Sequence, residues 1–74
     1  MSKADKMFEK LGYELYLDDD DEICYKAKSW YISFYKKYKV FRCCEDDFYN
    51  TACNITLEEL KAINEKVKEL GWNE

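Results

Sequence analysis

The stretch Ile23-Cys24-Tyr25-Lys26-Ala27-Lys28-Ser29-Trp30-Tyr31-Ile32-Ser33-Phe34-Tyr35 decides the fold. Ile23, Tyr25 and Ala27 alternate with Cys24, Lys26 and Lys28, and then Trp30, Ile32 and Phe34 alternate with Tyr31, Ser33 and Tyr35. A period of two is that of a β-strand with one packed face and one wet face. Only Lys28-Ser29 separates the two runs, and a connection that short joins antiparallel neighbours. Upstream, Tyr13, Leu15 and Leu17 alternate with Glu14 and Tyr16 and are expected to point inward. Downstream, a fourth strand is expected from about Tyr38 to Cys44, with Phe41 and Cys43 inward and Arg42 outward. Turns at Asp18 to Asp21 and at Lys36-Lys37 complete a meander. Residues 45–54 read as a loop, or as a loop holding a brief strand around Phe48-Tyr49.

On either side of this sheet the period becomes helical. Ser2 can cap a helix whose Ala4, Met7, Phe8 and Leu11 share one face, with Gly12 placed to stop it in the left-handed conformation. At the other end, Thr56-Leu57-Glu58-Glu59 has the form of a capping box, and Ile55 can staple onto Leu60. Leu57, Leu60, Ile63, Val67 and Leu70 follow as the expected buried stripe, and Gly71 ends the helix with Trp72 folding back on Val67. The fold class predicted is α+β: an N-terminal helix, a four-stranded antiparallel meander and a C-terminal helix, with both helices packed on one sheet face.

The chain has 74 residues, which leaves room for one core and a single domain, since so short a chain buries only about 60% of its unfolded surface. Seven Tyr, four Phe and two Trp supply the bulk that such a core needs. No apolar run approaches the ~20 residues of a membrane span, and the amino terminus lacks the apolar stretch of a signal peptide. No membrane association is expected, and the location expected is cytoplasmic. Cys24, Cys43, Cys44 and Cys53 accompany no histidine and form no C-x-x-C pair. Cys43 and Cys44, as strand neighbours, point to opposite faces. They read as reduced thiols, several of them small buried hydrophobes, and no metal site is assigned.

The charges are segregated. From Ile23 to Cys44 there is no acid, while Lys26, Lys28, Lys36, Lys37, Lys39 and Arg42 supply six positive charges; the chain as a whole carries 12 bases and 16 acids. The strand period puts Lys26, Lys28, Tyr31, Tyr35 and Arg42 on the wet face together. Basic residues interleaved with tyrosines can hold phosphates and stack bases, as single-strand binders do. The same residues also serve to keep an exposed sheet from aggregating, and a net charge of −4 weakens long-range attraction to nucleic acid. Two acidic clusters, Asp18-Asp19-Asp20-Asp21-Glu22 and Glu45-Asp46-Asp47, lack the alternating ligands and glycine of a calcium loop. They read either as solvated turns or as phosphate mimics that occupy a basic groove of a nucleic-acid enzyme.

Catalysis has little to stand on. Without His, a Cys or Ser nucleophile lacks its usual base, and two glycines, both assigned to helix caps, leave no phosphate-binding loop. The expectation is a protein that is not an enzyme and that uses no cofactor.

Two segments carry a resemblance: Ala4-Asp5-Lys6-Met7-Phe8-Glu9-Lys10-Leu11-Gly12-Tyr13, and the run Ile55-Thr56-Leu57-Glu58-Glu59-Leu60 continued through Leu70-Gly71-Trp72. They resemble the termini of small uncharacterised proteins of phages and prophages in Gram-positive bacteria. The resemblance covers the two helices and carries over no functional residue. It implies a small phage-type accessory protein, acting in the host cytoplasm, that binds and inhibits or modulates a host macromolecule such as a nuclease or an antiviral defence component. A host protein is then the expected partner, with nucleotide or single-stranded nucleic acid bound through the tyrosine-rich face as the alternative. The oligomeric state is left open.

Overall fold

Capping chemistry sets the limits of both helices. In the computed structural model, which describes residues 2–28, 30–45 and 54–72, Ser2 Oγ accepts the Asp5 N–H at 3.0 Å and opens α1 (Lys3–Lys10). Thr56 opens α2 (Leu57–Glu69) with a reciprocal box: its Oγ1 accepts the Glu59 N–H at 3.1 Å, and Glu59 Oε1 accepts the Thr56 N–H at 2.8 Å. Both helices close the same way. Gly12 (φ +92°) and Gly71 (φ +73°) take the left-handed conformation, which lets the Tyr13 N–H return to the Phe8 carbonyl at 2.9 Å and the Trp72 N–H to the Val67 carbonyl at 3.1 Å.

Between the helices, β1 (Glu14–Asp18), β2 (Glu22–Ala27), β3 (Trp30–Tyr35) and β4 (Val40–Glu45) form one antiparallel sheet in the order β1-β2-β3-β4. The fold is α+β, as the sequence predicts. Tyr25 pairs with Ile32 and Ile32 with Cys43, while Ile23 pairs with Phe34 and Phe34 with Phe41, so these six side chains line the helix-facing side of the sheet. Phe8 of α1 lands on this face: its ring stacks on Tyr25 at 4.1 Å and meets Tyr13 and Phe34 edge-on at 5.7 and 6.2 Å. Ile63 and Ala62 bring α2 to the same core, and the Trp72 ring closes it 6.0 Å from Phe34. Burying a ring as completely as Phe8 is buried contributes roughly 1.5–3 kcal/mol.

The helices run antiparallel and are tied by polar contacts along their length. Lys3 Nζ lies 3.6 Å from Glu65, the Ala4 N–H donates to Glu69 Oε2 at 2.9 Å, and the Tyr13 hydroxyl donates to Glu59 Oε2 at 2.7 Å. Lys66 Nζ is 3.5 Å from both Asp5 and Glu69, and Asp5 also accepts the Tyr25 hydroxyl, so α1, α2 and β2 meet at one carboxylate.

Two expectations are corrected. The pairing of β1 with β2 shifts between Leu15, opposite Tyr25, and Leu17, opposite Cys24. This bulge inserts one residue, so Leu17 leaves the helix-facing side and joins the other face. In α2 the buried residues are Ala62, Ile63 and Lys66, whereas Leu57 and Leu60 are exposed. The helix is turned so that the small Ala62 and the stem of Lys66 face inward, a rotation rewarded by the ion pairs of Lys66. The suggested strand at Phe48-Tyr49 lies outside the described residues.

Candidate binding site on the open sheet face

Cross-strand partners share a face, so the register alone assembles the site: Lys26 lies opposite Tyr31, Cys24 opposite Ser33, Ser33 opposite Arg42, and Tyr35 between Glu22 and Val40. Of the five residues expected there, Lys26, Tyr31, Tyr35 and Arg42 do share the face turned away from the helices. Lys28 does not belong to a strand; it takes a left-handed conformation (φ +52°) in the β2–β3 turn and borders the face from one end.

The centre of this face is dry. Cys24 is 4% exposed and Ser33 6% exposed although neither α1 nor α2 lies on this side of the sheet. Burial pushes the Cys24 thiol up from its ordinary value, which makes it a poor nucleophile. Around this centre stand Leu17, Tyr31, Tyr35, Val40 and Cys44, with Tyr16 at one corner.

That corner is organised by Lys26. Its ammonium sits 5.3 Å from the centroids of both the Tyr16 and Tyr31 rings, which themselves meet edge-on at 5.9 Å. A cation held over two rings is worth about 0.5–1 kcal/mol per contact at an exposed site. The arrangement occupies ring faces that a stacked base would need. Glu14, opposite Lys26, and Glu22, opposite Tyr35, add two carboxylates to the same face. A shallow cleft of about 420 Å³ lies beside this corner, lined by Glu14, Tyr16, Lys26 and Lys28.

The first acidic cluster is partly structural. Asp19 Oδ1 accepts the N–H groups of Asp21 and Glu22, each at 2.9 Å, and these two backbone hydrogen bonds hold its carboxyl below the ordinary carboxylate value. Lys36, from the β3–β4 turn, reaches across to Asp18 Oδ1 at 3.4 Å and to the Asp19 carbonyl at 2.5 Å. The turn is thus shaped by its own acids, with Asp20 and Asp21 left exposed at its tip. In the second cluster, Glu45 ends β4, while Asp46 and Asp47 lie outside the described residues.

Sequence reasoning missed Leu17, because nothing in Glu14-Leu15-Tyr16-Leu17-Asp18 marks the bulge that turns it outward. It also missed the dry Cys24–Ser33 centre, although two small residues directly opposite one another on a wet face are a readable signal. Among the described residues no three His, Cys, Asp or Glu side chains gather as metal ligands would, and no helix is long and apolar enough to cross a membrane. Comparison with family models, with curated proteins and with solved structures finds no match.

Proposed function

We propose that this chain is a small phage-type binding protein without enzymatic activity, which grips a host protein through the open sheet face and thereby inhibits or modulates it. One observation supports this reading above the others: the face away from the helices carries an apolar and aromatic belt, Leu17, Tyr31, Tyr35 and Val40, around a dry centre, with Arg42 beside it. Tyrosine and arginine around a desolvated centre are the composition of protein-binding hot spots. The phage-type role rests on the resemblance of the two helices.

Binding of nucleotide or single-stranded nucleic acid is the second reading, and Arg42 and Lys26 among tyrosines favour it. It is weaker for two reasons. Lys26 occupies the rings of Tyr16 and Tyr31, and Glu14 and Glu22 offset the local positive charge.

A Tyr35→Ala, Arg42→Ala variant distinguishes them. If a protein is gripped here, immobilised wild-type chain retains a partner from bacterial lysate after nuclease treatment, and the variant loses it. An Asp20→Asn, Asp21→Asn control retains it. Retention by the Tyr35, Arg42 variant at full strength would remove the open face from the reading. Oligonucleotides that bind at low salt and lose roughly 1–3 kcal/mol with Tyr35→Ala would establish the second reading instead.

A further inference from the structure

A second surface, along the outer edge of β1, has features that the open face does not use. Among the described residues β1 pairs only with β2, so alternate N–H and C=O groups of Glu14–Asp18 face away from the sheet. Every residue of β1 is exposed, including the consecutive Leu15, Tyr16 and Leu17. Clefts flank the strand on both sides. The one on the open face is lined by Glu14, Tyr16, Lys26 and Lys28; the other, about 390 Å³ between α1 and β1, is lined by Asp5, Glu9, Glu14, Leu15 and Tyr25.

We propose that the β1 edge accepts an extended basic segment of a partner protein as a fifth strand, with a Lys or Arg side chain entering the cleft between α1 and β1. Successive residues of an added strand point to opposite faces, so they would enter the two clefts in turn. The chemistry of the clefts differs. On the helix side, Glu9 has no ion-pair partner within 4 Å among the described residues, and the exposed Leu15 offers an apolar wall along which an alkyl stem can lie. On the open side Lys26 and Lys28 outnumber Glu14, which disfavours a cation, and Tyr16 suits an apolar or aromatic residue. The pattern selected is therefore basic and apolar residues in alternation. The bulge between Leu15 and Leu17 bends the strand, which confines straight pairing to the half beside the clefts and discourages long edge-to-edge stacking of copies. The inference rests on the chain being a protein binder, but on a surface other than Tyr35 and Arg42, so the two fail independently.

The test is titration of the isotope-labelled full chain, at low salt, with a capped peptide alternating Lys with Val and Tyr, followed by amide resonances. The expected result is shifts centred on Glu14–Asp18 and Glu9, slowed amide exchange in β1, and no effect of Tyr35→Ala, Arg42→Ala. A Glu9→Gln variant should bind more weakly, by up to about fivefold, since an exposed pair contributes about 0.2–1 kcal/mol. A peptide N-methylated at alternate residues should not bind. Absence of shifts at millimolar peptide, shifts that survive N-methylation, or equal binding of the peptide with Glu in place of Lys would each overturn the proposal. So would β1 shifts that arise on raising the protein concentration without peptide, which would assign this edge to a second copy of the chain.

Discussion

Lys66 holds a position in α2 where the helical period asks for an apolar side chain, and it is 9% exposed. Its stem packs as a hydrophobe while its ammonium lies 3.5 Å from Asp5 and from Glu69 and 5.9 Å from the centroid of the Tyr25 ring. Both carboxylates within reach are of opposite sign to it, so the charge is paired where the stem is buried. Burial raises the Tyr25 phenol far above its ordinary value, and its bond to Asp5 and the negative charges of Asp5 and Glu69 raise it further, so Tyr25 is a fixed donor at any ordinary pH. Removing Lys66 tests how the load divides between stem and charge. Lys66→Ala loses both and should cost about 2–3 kcal/mol, below the ~3–5 kcal/mol of a fully buried pair because Asp5 retains access to water. Lys66→Met keeps most of the stem and should cost about half as much. Urea unfolding of the two variants measures this, and equal losses would assign the whole contribution to the charge.

At the scale of elements, most boundaries were legible in the sequence because each was set by local chemistry. Ser2, the Thr56–Glu59 box, Gly12 and Gly71 act within one turn of chain, and no distant contact has to be known to read them. The inward set of β2, β3 and β4 was equally readable, since two-residue alternation in Ile23–Ala27 and Trp30–Phe34 has one solution for burial. Two features were not legible, and both depend on partners distant in the chain. The bulge in β1 is fixed by the register against β2, and the rotation of α2 by Asp5, which lies 61 positions before Lys66 in the chain. The second point yields a direct contrast between two α2 residues of similar hydrophobicity. Leu60→Gln, on the exposed side, should change stability by no more than about 0.5 kcal/mol, whereas Ile63→Ala, 1% exposed in the core, should cost about 2–5 kcal/mol. Thermal or urea unfolding suffices, and a large loss from Leu60→Gln would restore the sequence-derived stripe of Leu57, Leu60 and Ile63.

At the scale of the whole molecule, helices and sheet are held together by two carboxylates as well as by the core. Asp5 of α1 binds Tyr25 of β2 and Lys66 of α2; Glu59 of α2 binds Tyr13, at the entry to β1, and its own cap. Partial burial by itself would raise both groups. For Asp5 the Tyr25 hydrogen bond and the Lys66 charge outweigh it, and for Glu59 the Thr56 N–H and the Tyr13 hydroxyl do, so each carboxyl lies below its ordinary value in the folded chain. A carboxyl depressed by folding binds fewer protons in the folded state than in the unfolded one. The stability it adds is therefore complete above the ordinary carboxylate values, about pH 4–4.5, and is lost as pH falls through the lower folded values. The urea midpoint should accordingly be nearly flat from pH 7 to about pH 5 and fall steeply below about pH 4. An Asp5→Asn, Glu59→Gln variant should start from a lower midpoint at pH 7 and decline less on acidification, because the groups that took up protons are gone. Asp19→Asn is the comparison: its carboxyl is also depressed, but it shapes only the β1–β2 turn, so its removal should flatten the acid limb without loosening the helices. If the double variant loses as much stability between pH 5 and pH 3 as the wild type, the acid sensitivity resides elsewhere, and the two carboxylates do not fasten the helices to the sheet.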